Sequence, residues 1–430
     1  LVAQLKLFNG QSIKSINGVL GIWQDGEIFG LIAESTHIAN LACERAHSKV
    51  EWSLPDQSPR DPVAAIRDSD EEVDLIHAAG DILSVSGNDF THMVTRPYLS
   101  HGSIGPSAAV ALFKDDRLEV WSHAQGPFPL RDALAMVLNM PATDIDVIHR
   151  PGAGCYGHNG ADDVALDAAL LAKAFPGRPV KVVWSRADEF RCAPLAPAMV
   201  TRLNVTLDQT NTIKKIDVLV NSAPHGNRPG RNGSPNLRAA AFLNPPLLPS
   251  RSNDIPLAGG GGADRNAIPL YDVPNVLVQK RIVHKLPYRT SSMRGLGAHL
   301  NVYAIETLMS KLAHQVNEDP FEFRLRHLSD ARAKNVLQTL RAMISNLNIS
   351  SDGEGVGTGI GFAKYKNTAA YCAIWVRAEV QERVRVTHAL AALDGGEIIN
   401  PDGAINQTEG GMLQSLSWTI NEAIKFDGPV

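Results

Sequence analysis

An α+β fold of more than one unit is what this sequence predicts, and three observations carry that expectation. The 430 residues are enough chain for two to four domains. Strand-like runs give way to helix-period runs at three separate places, each time across a glycine-bearing loop. Polar stretches rich in Pro and Gly divide these regions from one another.

The composition is globular, with 44% hydrophobic and 20% charged residues. A net charge of −4 gives no electrostatic reason to bind nucleic acid. No run approaches the roughly 18 to 20 apolar residues that span a bilayer. The opening LVAQLKLFNG has neither a basic n-region nor a cleavage site. A cytoplasmic protein is therefore expected, or a periplasmic one if a leader precedes these residues. Cys43, Cys155, Cys192 and Cys372 are far apart and form no CxxC pair, which argues against a disulfide framework, a zinc site or an iron-sulfur cluster on this chain. Any electron-transfer centre is expected on a partner.

Along the chain, residues 1–55 alternate the apolar runs Val19 to Trp23 and Ile28 to Ala33 with a helix-like Ile38 to Val50, a small mixed α/β unit. The polar stretch Leu54 to Glu72, with Pro55, Pro59 and Pro62, reads as a connection, and residues 56–85 are assigned to it. The main globular region is expected at 86–335. Inside it, Asn221 to Gly262 is a long loop rich in Gly, Pro, Asn and Ser, either functional or mobile, or else a solvated excursion. A third unit is expected at 355–430, with strands at Tyr371 to Val376 and Val384 to Leu393 and a helix at Gln414 to Ile424.

The first glycine loop follows strand-like Ile145 to His149, runs through Gly152, Ala153, Gly154, Cys155, Tyr156, Gly157 and His158, and enters a helix at Asp162 to Ala174. Phe175-Pro176-Gly177 ends that helix and Val180 to Trp184 is the next strand. Backbone N–H groups in such a loop can approach an anion closely. The second loop, Thr290 to Ala298, follows strand-like Val276 to Leu286 and precedes a helix striped by Leu300, Ala304, Leu308 and Leu312. Arg294 stands at its mouth. The third runs from Asp394 through Asn400-Pro401-Asp402-Gly403 to Gln407-Thr408-Glu409-Gly410-Gly411, where a helix is expected to start. Together the three could converge on one polyanionic ligand.

Gly152, Gly154 and Gly157 match G-x-G-x-x-G, which an ordinary tight turn or a nicotinamide-binding Rossmann unit would also produce. The Rossmann reading expects an acidic residue at the end of the following strand, and Trp184 leads instead into Ser185-Arg186-Ala187.

Several motifs in order carry a family resemblance. Arg96 to His101, Gly105-Pro106, Gln125-Gly126-Pro127-Phe128, Gly152 to Asp163, Asp264-Arg265-Asn266, Met293 to Gly297, Asn400 to Gly403 and Gln407 to Gly411 resemble the molybdopterin-binding large subunit of the xanthine oxidase and aldehyde oxidoreductase family, above all its nicotinate dehydrogenase and isoquinoline oxidoreductase types. The resemblance implies a partial hammerhead-like α/β domain followed by molybdopterin-binding α+β domains. It implies molybdopterin cytosine dinucleotide with molybdenum as cofactor and hydroxylation of a small N-heteroaromatic compound or an aldehyde, with water as the oxygen source. It also implies a small [2Fe-2S] partner subunit and a further cytochrome or flavin subunit. Carried over residue by residue, Arg294 faces the active site. Gln125, Gly126, Phe128, Gly152, Ala153, Gly154, Cys155, Tyr156, Gly157, His158, Gly295, Gly297, Gln407, Gly410 and Gly411 contact the cofactor, with no protein ligand to the metal.

Two departures matter. Cys155, with Tyr156 beside it, stands where many relatives carry an aromatic residue, so it is either a small packing residue or a reactive thiol. The family's base is a glutamate in a Gly-x-Gly-Glu-like motif that these residues do not include, and Ala331 to Gly353 is short and polar. The expectation is thus a fragment, a split subunit or an inactive copy. His101, His123, His149 and His158 lack metal-ligand spacing, Asp162 and Asp163 read as first-turn helix stabilisers, and Glu306 as a solvated face.

Overall fold

The computed structural model describes residues 4–53, 61–82, 85–152, 154–231, 233–250, 254–286, 288–347, 349 and 353–426. The first unit comprises β1 (Gln4–Phe8), α1 (Gln11–Lys14), β2 (Val19–Asp25), β3 (Ile28–Ala33), α2 (Thr36–His47) and β4 (Val50–Ser53). Both β1–β4 and β2–β3 pair antiparallel. The Ser35 hydroxyl caps α2 by accepting from Ile38 N. That helix stops short of the predicted Val50, because Val50 is taken by β4 opposite Phe8.

The stretch read as a connection contains two elements, α3 (Pro62–Arg67) and β5 (Val73–Ala79). Asp61 caps α3 and Pro62 opens it, but the helix buries only Ile66, so no apolar stripe announced it.

Next come β6 (Asn88–Arg96), β7 (Ala108–Lys114), β8 (Arg117–Ser122), α4 (Pro127–Leu138), β9 (Ile145–His149), α5 (Gly160–Ala174), β10 (Val180–Val183) and α6 (Arg186–Cys192). Strands β10, β7, β8 and β9 form one sheet in that order. Leu118 and Val120 of this sheet meet Leu130 and Leu134 of α4 and Val164 and Leu166 of α5 in one core. The β9–α5–β10 crossover skips over β7 and β8. Adjacent parallel strands joined by one helix, as a Rossmann unit requires, are therefore not what surrounds the first glycine loop.

A second sheet has the order β5, β13 (Asn275–Ile282), β12 (Ile213–Ser222), β11 (Met199–Leu207), β6, with only β12 and β13 parallel. The predicted stripe of Leu300, Ala304, Leu308 and Leu312 lies on α7 (Ala298–Gln315) and packs into the core of this sheet. Then follow α8 (Pro320–Arg326), α9 (Ala331–Ser345), β14 (Val356–Lys364), β15 (Tyr371–Val380), β16 (Val384–Asp394) and α10 (Pro401–Ile420). Strands β14, β15 and β16 make an antiparallel sheet whose Phe362, Ala373, Trp375 and Ala392 join the same core.

Several expectations are corrected here. The segment from Ala331, read as short and polar, holds a full helix capped by Asp330, with Ala333, Val336, Leu337 and Leu340 buried. Glu306 is not on a solvated face. It is buried against Arg324 and Tyr271, partners that reach it from outside its own helix, which periodicity along α7 cannot reveal. The 221–262 loop is no solvated excursion, since Leu237, Ala239, Ala240 and Leu243 join the core of the four-stranded sheet. Finally, α10 starts well before Gln407. Asn400 accepts from Gly403 N at 2.9 Å and Pro401 occupies the first turn, so the third glycine motif is helix interior. The helix ends at Ile420, and Ile424 N instead donates to Tyr98 O at 2.9 Å.

Candidate functional site

The first glycine loop is shaped by contact with the second. Gly157 forms an antiparallel bridge with Met293, and His158 N donates to Ser292 O at 2.9 Å. Gly157 has φ +130°, and a Cβ there would run into the Ser292 carbonyl, so the close approach requires glycine. Behind the loop, His158 is fully buried with Nδ1 2.9 Å from Asn227 O and 3.0 Å from Ser291 Oγ.

The N-terminus of α5 is not open to an anion. The Asn159 side chain caps it by accepting from Ala161 N at 3.0 Å, and Gly160 to Asp163 are all buried. Asp163 is held by a bidentate pair with Arg289, at 2.9 and 2.6 Å, and accepts from Arg238 N at 2.7 Å. Its neighbour Asp162 is buried with Oδ2 4.0 Å from His158 Nε2, and neither atom has a hydrogen-bond partner among the described residues. Burial pushes the Asp162 carboxyl up to about 7 and the His158 imidazole down to about 3. Both aspartates thus do more than stabilise a first turn.

The second loop is anchored on its other side by Gly297 N, which donates to Gly262 O at 3.1 Å. From it Arg294 reaches α10. Its Nη2 donates to Gln407 O at 3.0 Å and Gln407 Oε1 at 3.1 Å, and Nη1 to Gln414 Oε1 at 3.2 Å. Gly411 lies directly beneath, where an added Cβ would come within 3.3 Å of Nη2. The guanidinium thus ties the second motif to the third.

Two neighbouring cavities open around this tie. The first, about 650 Å³, is walled by Cys155, Tyr156 and Gly157 from the first loop, Ser292 to Leu296 from the second and Gln407 from α10. Among the described residues, the charged ones on its wall are all arginines: Arg228, Arg231, Arg265 and Arg294. Arg228 is steadied by Gln125 Oε1 at 2.9 Å. Arg265 donates to Gly260 O at 2.7 Å, Gly261 O at 3.1 Å and the Tyr365 hydroxyl at 2.7 Å. The second cavity, about 710 Å³, shares Tyr156, Arg294 and Gln407 with the first and adds His101, Phe190, Trp418 and a set of side-chain amides.

Of the residues picked from sequence, Gln125, Cys155, Tyr156, Gly157, Arg294, Gly295 and Gln407 line the first cavity, and Gly410 lines the second. Gly152 packs against His123, Gly154 against the Tyr156 ring and Gly297 against the Ala263 carbonyl; with His158 and Gly411 they stand behind the walls and hold them. Gly126 is the N-cap residue of α4, and Phe128 is exposed on that helix beneath Arg131; neither lines these cavities. Ala153 lies outside the described residues. Sequence reasoning missed Arg228 and Arg231, and it cited Arg265 only as part of a motif. The signal available was the presence of arginines, Arg228 and Arg231 among them, inside the glycine-rich 221–262 loop.

Chemically, the first cavity suits a polyanion, since guanidinium groups pair with phosphate oxygens in a fork and no carboxylate among the described residues of the wall opposes them. Gly295, with φ +80° and nothing closer than His299 N at 4.0 Å to where a Cβ would stand, leaves room for a ligand to approach the backbone. Cys155 is half-buried, its Sγ 3.3 Å from Gly157 O, and burial together with nearby Asp162 raises its thiol pKa, so it stays protonated near neutrality. His101 and His149 each bond a backbone carbonyl through one ring nitrogen. Among the described residues no group of three or more His, Cys, Asp or Glu could hold a metal ion. Among them too, no helix is long and apolar enough to cross a membrane.

Residues 79–234 and 289–429 each match a molybdopterin cofactor-binding domain. The chain is 31% identical to a nicotinate dehydrogenase subunit of Pseudomonas putida over 97% of its own length and 35% of the relative's. It is 27% identical to the beta subunit of isoquinoline 1-oxidoreductase of Brevundimonas diminuta over 74% of its length and 39% of the relative's. The matched part is thus well under half of either relative. In fold it resembles quinoline 2-oxidoreductase from Pseudomonas putida 86, with TM-score 0.63, 18% identity, and coverage of 89% of this chain and 57% of that one. It also resembles the aldehyde oxidoreductase of Desulfovibrio gigas, with TM-score 0.61, 17% identity, and coverage of 89% and 47%.

Proposed function

This chain belongs to the molybdopterin-binding subunits of the xanthine oxidase family, and from that premise we propose that its arginine-lined cavity holds molybdopterin cytosine dinucleotide for the hydroxylation of a small N-heteroaromatic compound or an aldehyde. The observation that carries the reading is that residues from all three glycine motifs meet around one cavity whose charged residues are Arg228, Arg231, Arg265 and Arg294. The donor set fits the group: guanidinium forks for its phosphates, and the open backbone at Gly295 for close approach.

In this reading Arg228, Arg231 and Arg265 neutralise the phosphate charge, and the Gln125 and Tyr365 side chains keep two of those guanidiniums in place. Tyr156 borders the face toward the second cavity, and Arg294 locks α10 over the ligand. When bound, the molybdenum cofactor supplies the two-electron redox chemistry, and the protein positions and tunes it. Water is the proposed oxygen source. The electrons leave to a [2Fe-2S] partner subunit, since the cysteines of this chain are dispersed.

The test is molybdenum and pterin content, by elemental mass spectrometry and pterin fluorescence, on the protein purified from its native host with whatever copurifies. Near-stoichiometric molybdenum in wild type and a clear loss in Arg231→Glu, which reverses an exposed wall charge, is the expected result. A wild-type protein without pterin, from a host that makes it, would overturn the reading.

A further inference from the structure

The second cavity differs in chemistry from the first. Three aromatic rings border it, Tyr156, Phe190 and Trp418, together with the amides of Asn406, Gln414 and Asn421. Among the described residues its charged lining is one residue of each sign, Arg294 and Glu422. Both terminal nitrogens of Arg294 are already turned to Gln407 and Gln414. His101, in the same wall, is buried and donates through Nε2 to the Ser292 carbonyl, and burial depresses its pKa to about 4, so it adds no cation near neutrality. Aromatic faces bind flat rings by offset or edge-on contact, and amides supply both donors and acceptors to a ring heteroatom. A carboxylated ring would instead find its charge matched in the arginine cavity next door.

Resting on the cofactor reading above, we propose that the second cavity is the substrate pocket and that it takes an uncharged, planar N-heteroaromatic ring in preference to a carboxylated one. Phe190 is its specificity-determining residue. It stands on α6, half-exposed, with one face over Arg186 at 6.0 Å, and it is outside the residues that would hold the cofactor. The wall shared by the two cavities, Tyr156, Arg294 and Gln407, places the bound ring beside the cofactor cavity without giving it Arg228, Arg231 or Arg265.

The experiment is equilibrium dialysis of the purified assembly against isoquinoline and against nicotinate, at a pH where the isoquinoline nitrogen is unprotonated, for wild type, Phe190→Ala and Asn421→Ala. Thermal unfolding confirms that each variant is folded. Isoquinoline is expected to bind wild type and to lose affinity severalfold in both variants, whereas any nicotinate binding is expected to be insensitive to either change. Phe190-dependent nicotinate binding as tight as that of isoquinoline overturns the proposal. So does isoquinoline binding that neither variant weakens, or its absence in a pterin-loaded assembly. Variant-sensitive isoquinoline binding in a protein that carries no pterin would sustain the pocket while removing the cofactor reading, so the two stand or fall separately.

Discussion

The Glu306 carboxylate accepts from Arg324 Nε at 2.9 Å with both side chains buried. Its other bonds come from the Tyr271 hydroxyl at 2.7 Å and from Phe362 N at 3.0 Å, so one carboxylate joins α7, α8, β14 and the chain that precedes β13. Arg324→Met would leave that charge buried and unmatched, at a cost of about 3–5 kcal/mol. Denaturant unfolding should show this loss, and the double variant with Glu306→Leu should recover part of it. Additive losses would mean that the pair is not coupled.

Arg294 ties the second glycine loop to α10 through a fork, and a lysine keeps the charge but cannot make the same bonds. Arg294→Lys should therefore loosen α10 while leaving the core intact. Hydrogen exchange across residues 401–420 reads this directly: faster exchange there with unchanged protection in α7 is expected, and unchanged exchange in α10 would show that the fork is dispensable.

Gly157→Ala should break the bridge between the first two loops. The strained backbone alone costs about 1–3 kcal/mol, and the new methyl meets the Ser292 carbonyl. Relative to Gly177→Ala, which also has positive φ but open surroundings, the loss of thermal stability should be clearly larger.

Asp162 gives a pH signature. Its carboxyl is held protonated up to about 7 by burial, against 3.8 when unperturbed. Between those values the native state carries the additional proton, so this group makes stability fall as pH rises. His158 and His101, depressed to about 3 and about 4, act in the opposite sense up to their ordinary 6.5. Comparing Asp162→Asn with wild type isolates the aspartate: the variant should gain relative stability as pH rises from about 3.8 to about 7, then level off. A pH-independent difference between the two proteins would rule out a buried, protonated Asp162.

Much of the fold was legible because periodicity is local. The stripe on α7, the β9–loop–α5 unit and the strands around Tyr371 and Val384 each declare themselves within one continuous stretch of sequence. Helix α3 did not, because a single buried Ile66 makes no stripe. Helix α10 was placed too late because Gly403, Gly410 and Gly411 read as breakers, and the Asn400-Pro401 cap that starts it was read as loop.

By itself, the sequence determined the kind of molecule this is: an α+β chain with three glycine motifs in an order that resembles one cofactor-binding family. It could not determine which charges face the ligand. Arg228 and Arg231 come from a loop without periodicity, and Arg265 from the turn that follows it, and they meet Cys155, Arg294 and Gln407 only because the chain between them is folded back. Nor could it show that the α5 N-terminus is capped and buried, so that guanidinium groups and not a helix end face the cavity. Secondary structure follows from interactions a few residues apart, which a linear pattern records. The sign of a cavity wall follows from contacts between residues far apart along the chain, and only packing decides those.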